Sequence, residues 1–426
     1  VYIYAMGRMG PLNSDIGDTT IAWIKENHPD FKPRRILDMG CTVGHSTLSY
    51  CDAFPDAEVY GIDVGAPKAG EVFRNPDLAN TLERIATNGR DEFYRGQSAQ
   101  VMVDYLQRQG SAFTSADFAA HDSTWVDVAC VEYRKGYELC ELPPNSQGFA
   151  ALQMVNILKN VDLTQWERGS PQVLHYITEA KRLAFEDAAR FYADPAFAAA
   201  PAELLSDAYG KARFALIDPA RATPAFTPGA LIAPKLEGPG DTTYLTVADT
   251  DGMMVSLIQS NYRGMGGGLV ADGLGFMFQD RGELFSLTDG HPNLYAPGKR
   301  PFQTIIPAFV TKDGQPVMSY GVMGGNMQPQ GHMQTLVRML DYGQNPQAAC
   351  DAPRWRYNTG LNINVEAAMN GQTVQDLIAR GHQLDIINDS YQDFGAGQFI
   401  WRMGDPAVQG YQVASDPRRD GQAVGF

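Results

Sequence analysis

Two acids and two glycines near the start of the chain have types and spacing suited to holding a small cofactor. Leu37-Asp-Met-Gly-Cys-Thr-Val-Gly44 puts Gly40 and Gly44 in a turn just after Asp38, and Asp63 closes the next apolar run. A glycine turn lets a ligand approach the backbone, and the helix after it presents free N–H groups. An acid at the end of the second strand can accept both hydroxyls of a ribose. The alternative is a β-α-β turn that binds nothing. His291 and His332 are the other side chains that invite a chemical reading. Nothing stands at ligand spacing from either, so structural roles and no metal site are expected. The five cysteines (Cys41, Cys51, Cys130, Cys140 and Cys350) are odd in number and lack a C-x-x-C pair. That disfavours a zinc ribbon and a disulfide scaffold.

The elements that must position these residues fall into three regions: 1–67, 68–241 and 242–426. In the first, Arg34–Gly40 and Val59–Val64 read as strands, with a helix over His45–Phe54 between them and a short one over Thr20–Asn27 before them. The second region reads as mostly helical. Asp77–Thr87, Ser98–Gln109, Gly148–Leu158 and Pro171–Tyr192 carry apolar residues at helical spacing. Ala193–Pro234 reads as loops and short helices, and Glu237–Gly240 as a flexible stretch. The third region opens with a hairpin, Thr243–Ala248 and Met253–Ile258 joined at Asp251-Gly252. Further strands are expected at Gly275–Phe278, Thr304–Thr311 and Pro316–Tyr320, and a helix over Gln330–Tyr342.

Composition narrows the function classes. The chain has 426 residues, 44% hydrophobic and 19% charged, a balance that suits folded domains. Its net charge of −15 repels phosphate backbones, so no nucleic-acid partner is expected. No apolar run approaches the roughly 18 residues of a membrane span. No signal peptide is visible, which gives a cytoplasmic location by default.

The first constellation resembles motif I of class I S-adenosylmethionine-dependent methyltransferases. Gly40 and Gly44 match, and Thr42 stands where that family usually has a second glycine. The resemblance ends near Pro67. It implies a partial Rossmann-like βαβ unit and S-adenosylmethionine as cofactor, held by Asp38, Gly40, Gly44 and Asp63.

A longer ordered series follows. It comprises Glu71–Leu78, Phe93–Gly96, Phe113–Phe118, Tyr137–Gly148, Gly240–Tyr244, Lys299–Pro301, Gly321–Gly325 and Ala414–Arg419. This series resembles the gamma-glutamyltranspeptidase family of N-terminal-nucleophile hydrolases over about residues 68–426. The resemblance implies an α+β fold, a four-layer αββα sandwich, here incomplete. It implies autocatalytic cleavage between Asp241 and Thr242, after which the chains 68–241 and 242–426 stay associated. An ordinary threonine hydroxyl needs a base, and the α-amine freed by the cut, with pKa near 8, supplies one on the same residue. By the same resemblance, Gly324 and Gly325 hold the oxyanion, and Asn261, Arg281, Gln303 and Thr304 contact the substrate. The substrate is a small amide, γ-glutamyl or a related acyl compound, and the acyl transfer needs no cofactor.

The pattern departs from the family in places. Leu284 replaces the acid that holds the glutamyl α-amine, with Glu283 beside it. The hydroxyl that assists the nucleophile falls at Gln259 or Ser260. Tyr244 replaces a frequent histidine. These departures make glutaryl or other acyl amides plausible. The family's first hundred or so residues have no counterpart, and a join near Ala66-Pro-Lys68 suggests a fusion of reduced stability. The competing readings are a methyltransferase fragment and an inactive chimera.

Overall fold

The computed structural model describes residues 35–39, 58–62, 74–226, 241–264, 266–388 and 394–425, together with Lys25 and Val72. Apart from Lys25, the expected helices over Thr20–Asn27 and His45–Phe54, and the stretch Glu237–Gly240, lie outside these residues. So do Gly40, Gly44 and Asp63. The chain divides into two compact units, one built from residues 1–122 and 268–278, the other from 123–267 and 279–426.

In the first unit, β1 (Arg35–Met39) and β2 (Glu58–Ile62) pair in parallel, with Asp38 opposite Gly61. Helix α1 (Pro76–Asn88) starts at Asn75, whose side chain accepts the Leu78 N–H, with Pro76 in the first turn. Helices α2 (Arg90–Tyr94), α3 (Gln97–Arg108) and α4 (Ser115–Ala119) follow. Asn75 Nδ2 donates to the Gly275 carbonyl at 2.8 Å, and Thr81 Oγ1 to that of Leu274 at 3.0 Å. These bonds hold residues 268–278 against α1. The expected strand at Gly275–Phe278 does not form. Gly273 and Gly275 take positive φ, and only a single bridge, Val270 to Met277, is made there. Leu274 and Ala271 pack on Met102 instead.

The second unit is built on an antiparallel sheet. Its elements are β3 (Ala129–Arg134), β4 (Tyr137–Glu141), α5 (Gly148–Leu158), α6 (Pro171–Phe191), α7 (Asp207–Phe214), β5 (Asp241–Ala248), β6 (Met254–Tyr262), β7 (Ala308–Lys312), β8 (Gln315–Met323), α8 (Met327–Leu340), α9 (Pro346–Asp351), β9 (Trp355–Tyr357), β10 (Asn362–Glu366), α10 (Gly371–Ala379), β11 (Gln383–Ile387), β12 (Ala396–Arg402), α11 (Pro406–Gln409) and β13 (Tyr411–Ser415). Six strands form the main sheet in the order β13-β12-β8-β7-β4-β3. A smaller sheet orders β11-β10-β9, and β5 and β6 make a separate hairpin. Region 68–241 therefore contributes two strands of the main sheet that its helical reading missed. They meet at Lys135-Gly136, where Gly136 takes φ 76°.

Adjacent residues of a strand face opposite ways, and β8 shows what covers each face. Tyr320 and Val322 face helix α8: the Tyr320 ring lies 4.8 Å from that of His332, and a Cβ on Gly331 would come 2.5 Å from Val322 Cγ1. Ser319 and Gly321 face the hairpin, where Thr246 Oγ1 donates to Ser319 Oγ at 2.7 Å and the Tyr244 ring lies on Gly321. The order is helices, sheet, hairpin. Helix α5 is buried all round, with Leu152, Met154, Val155 and Leu158 fully enclosed. Each such side chain contributes about 1.5–3 kcal/mol through burial. The hairpin's outer face exposes Leu245, Val247, Val255 and Leu257.

Cys130 and Cys140 stand opposite each other on β3 and β4 and form a disulfide. One bridge therefore exists where the cysteine count argued against a scaffold, because the partners meet only through strand register. Cys350 is free and buried. Among the described residues, no helix is long and apolar enough to cross a membrane.

Candidate active site

Strand β5 alternates, with Thr242 and Tyr244 buried and Thr243, Leu245 and Val247 exposed. Thr242 is only 6% exposed, and its Oγ1 donates to Ser260 Oγ at 3.0 Å. Ser260 Oγ also accepts the Tyr262 N–H at 2.8 Å. Register thus decides between the two hydroxyl-assist positions: Ser260 faces Thr242, whereas Gln259 faces Thr243 and is exposed. The ladder shifts between Asp241, opposite Tyr262, and Thr242, opposite Ser260. Asn261 is the extra residue of this bulge, and Tyr262 takes φ 77°. The backbone is therefore twisted opposite the 241–242 peptide bond.

The hairpin runs along β8 in a fixed step. Thr246 meets Ser319 and Tyr244 meets Gly321, so Thr242, two residues further along β5, lies toward the Met323 end of β8. Gly324 and Gly325 follow at once, with φ 124° and 58°, in the turn from β8 into α8. Their carbonyls accept the N–H groups of Met327 and Gln328, at 3.0 and 3.2 Å. Gln147 Nε2 also donates to the Gly325 carbonyl at 2.9 Å. Among the described residues, the N–H groups of Gly324 and Gly325 themselves have no acceptor. Free N–H groups at the start of a helix favour negative charge.

Gln147 Nε2 makes a second bond, to the Thr304 carbonyl at 2.6 Å. The Thr304 hydroxyl accepts Arg281 Nη1 at 3.2 Å, and the Arg281 guanidinium lies 5.6 Å from the Tyr262 ring centre. Contacts therefore run from Thr242 through Ser260, Tyr262, Arg281, Thr304 and Gln147 to Gly325. Arg281 is 7% exposed, and its Nη2 has no hydrogen-bond partner among the described residues. Burial pulls its pKa down to about 10. The nearby acids are engaged elsewhere. Arg263 Nε lies 2.5 Å from Glu283 Oε1, and the Arg263 N–H donates to Asp280 Oδ1 at 3.1 Å.

The remaining expected residues fall as follows. The Asn261 carbonyl accepts the Asp280 N–H at 3.1 Å, which ties the bulge to the turn bearing Arg281. The Gln303 N–H donates to the Asn145 carbonyl at 2.9 Å. Leu284 is a core residue, and Asn293 Nδ2 donates to its carbonyl at 2.7 Å. Sequence reasoning missed Gln147 and Tyr262. The motif Tyr137–Gly148 contains Gln147 but does not show where its amide points. Asp38 lies on β1, in the other unit.

Both histidines singled out in the sequence make hydrogen bonds within the fold. His291 Nε2 bonds the Ala189 carbonyl at 2.9 Å, and His332 Nδ1 bonds Glu141 at 2.7 Å. The ligand atoms of His175, Glu179 and His382 do cluster within 4.8 Å of one another. They fit a metal poorly: His175 Nδ1 and His382 Nε2 bond each other at 2.9 Å, and Arg182 pairs with Glu179 at 2.6 Å.

With this geometry in view, the gamma-glutamyltranspeptidase family model matches residues 46–426. The chain belongs to the gamma-glutamyltranspeptidase family. The match starts inside the segment expected to resemble a methyltransferase and runs through the suggested join at Ala66–Lys68. The chain is 39% identical over 369 residues to the glutathione hydrolase-like YwrD proenzyme of Bacillus subtilis, covering 85% of this chain and 67% of that protein. It is 32% identical over 367 residues to the oxamate amidohydrolase proenzyme of Klebsiella pneumoniae, covering the same shares. The crystal structure of a cephalosporin acylase from Bacillus halodurans superposes with a TM-score of 0.77 at 35% identity, covering 99% of this chain and 72% of that one. The chain thus spans about two thirds of the length of these curated relatives. Its family chemistry is acyl transfer or amide hydrolysis of the N-terminal-nucleophile type, and the acyl group is open.

Proposed function

We propose that this chain transfers or hydrolyses the acyl group of a small amide, with Thr242 as an N-terminal nucleophile freed by a cut after Asp241. The observation that supports the reading is the Thr242 hydroxyl, bonded to Ser260 two residues before Tyr244, whose ring lies on Gly321 of the strand that leads into Gly324 and Gly325. The cut converts the 241–242 peptide bond into a carboxylate on Asp241 and an α-amine on Thr242. That amine takes the Thr242 hydroxyl proton as the oxygen attacks the substrate carbonyl. The tetrahedral oxyanion meets the N–H groups of Gly324 and Gly325, which are already oriented before reaction. The C–N bond breaks, the leaving amine takes the proton, and an ester on Thr242 remains. Water or a second amine then releases the acyl group and restores the hydroxyl. No cofactor takes part in this scheme.

Arg281, Thr304, Asn261 and Gln303 are the residues proposed to contact the acyl group. Arg281 supports an acyl chain ending in a carboxylate, because a buried guanidinium with a free amino group favours an anion. Leu284 offers an α-ammonium no partner, and Glu283 is already paired with Arg263. The test is mass spectrometry of the purified full chain after prolonged incubation. A new terminus at Thr242, absent in Thr242→Ala, is expected. An uncut chain that still hydrolyses amides would defeat the reading.

A second reading, S-adenosylmethionine binding by residues 34–63, is favoured by the parallel pairing of β1 and β2 that a βαβ unit requires. Calorimetric titration with S-adenosylhomocysteine tests it. Binding lost in Asp63→Ala would support it, and no heat of binding would end it.

A further inference from the structure

The turn that carries Gly324 and Gly325 is only as well placed as the strand end before it. Strand β7 stops pairing with β8 at Ala308 opposite Tyr320, so among the described residues β12 is the one strand paired with β8 beyond that point. The Val322 N–H, two residues before Gly324, would lack an acceptor on the β7 side. It donates instead to a side chain, His332 Nε2 on α8, at 3.1 Å. Gly331 makes this reach feasible. Any Cβ there would come 2.5 Å from Val322 Cγ1 and push the helix off the strand.

The direction of this bond fixes the rest. A backbone N–H can only donate, so His332 Nε2 carries no proton and presents its lone pair. The ring's proton therefore sits on Nδ1, which lies 2.7 Å from Glu141 Oε1. Glu141 ends β4, and both side chains are fully enclosed. Each partner holds the other in one orientation. Were His332 to carry its proton on Nε2, two N–H groups would confront each other and the strand end would lose its anchor.

We propose that His332 and Glu141 are positioning residues for the acyl-transfer reaction, a buried pair that clamps the Val322 N–H and so sets where the Gly324 and Gly325 donors stand. This rests on the reading of that turn as the oxyanion site. Neither residue touches substrate. Their action passes through Val322, while Gln147 holds the other side of the turn through the Gly325 carbonyl. Burial pushes the Glu141 carboxyl well up and His332 down to about 3, consistent with an uncharged His332 ring.

The test uses the full chain, with rates normalised to the fraction cut before Thr242 and with glutaryl- and γ-glutamyl-p-nitroanilide as probes. His332→Ala and Glu141→Ala should each lower kcat by about 10- to 100-fold while KM changes less than about threefold, the signature of displaced donors. The double variant should lose no more than His332→Ala alone. His332→Gln keeps an acceptor near the Nε2 position and should recover most of the rate. Glu141→Gln keeps an acceptor for the Nδ1 proton and should stay within about threefold of the parent. A second readout is independent of activity: amide exchange at Val322–Gly325 should quicken in His332→Ala while Val317–Tyr320 stays protected. Unchanged exchange there overturns the clamp even if the enzyme proves inactive. Faster exchange with unchanged kcat leaves a structural bond only and overturns the catalytic role. Equal losses in Glu141→Gln and Glu141→Ala would also overturn it.

Discussion

The Thr242 hydroxyl is donated to Ser260 Oγ, 3.0 Å away across the hairpin, and the Tyr262 N–H holds the same serine oxygen from the other side at 2.8 Å. Ser260 thus orients the threonine without competing as its base. Ser260→Ala should slow both the self-cut and turnover by about 10- to 100-fold, with Ser260→Thr close to the parent. Gel densitometry of the cut over time, beside single-turnover kinetics, measures both. Parent-like rates in Ser260→Ala would remove Ser260 from the chemistry.

Gln147 predicts a joint loss of stability and rate. Its amide satisfies two buried carbonyls, those of Thr304 and Gly325. Removing it leaves the buried Thr304 carbonyl unsatisfied, at a cost of about 1–3 kcal/mol, and leaves the Gly325 carbonyl with the Gln328 N–H. Gln147→Ala should lower the urea midpoint and reduce kcat, because the Gly325 carbonyl loses its side-chain tether. A midpoint within error of the parent would contradict the bridge.

Arg281 predicts substrate choice. Arg281→Gln should raise KM for glutaryl-p-nitroanilide by about tenfold or more and leave an uncharged butyryl analogue almost unaffected. The pairing of Leu284 and Arg281 also predicts a preference for the glutaryl over the γ-glutamyl compound, read as a ratio of kcat/KM. Equal losses on charged and uncharged acyl groups would mean that Arg281 only supports the fold.

His382 predicts acid sensitivity. The Asp218 carbonyl can only accept, so His175 carries its proton on Nε2, and His175 Nδ1 accepts from His382 Nε2. Burial holds His382 down to about 3, against an unfolded value near 6.5. The unfolded chain then binds a proton that the folded chain refuses. The stability contribution is full above about pH 6.5 and falls as pH drops toward 3, by up to about 1.4 kcal/mol per pH unit. Urea unfolding of His382→Gln from pH 7 to 4 should show a shallower decline than the parent. Parallel curves would rule out His382 as the source.

What could be read from the sequence followed local periodicity. The hairpin of β5 and β6, with its turn at Asp251-Gly252, and helices such as Gly148–Leu158 were legible because their patterns are complete within a few residues. Strands β3 and β4 were not. Their apolar alternation is short and interrupted by Glu132, Arg134, Lys135 and Glu138, and the partner of β4 on its other side, β7, lies far along the chain. The site divides the same way. Thr242 and the glycine pair were singled out by the ordered motif series around them, whereas choosing Ser260 over Gln259 needed the ladder register. The bonds of Gln147 span 157 and 178 residues, a separation that no local pattern encodes.

The main sheet draws β3 and β4 from before residue 241 and β7, β8, β12 and β13 from after it, and β4 is laced to β7 from Tyr137–Lys312 to Cys140–Phe309. Hydrolysis at a single bond would therefore make two polypeptides without making two bodies. The new ammonium would appear inside an architecture already locked in place, and parting the fragments would demand melting the sheet itself.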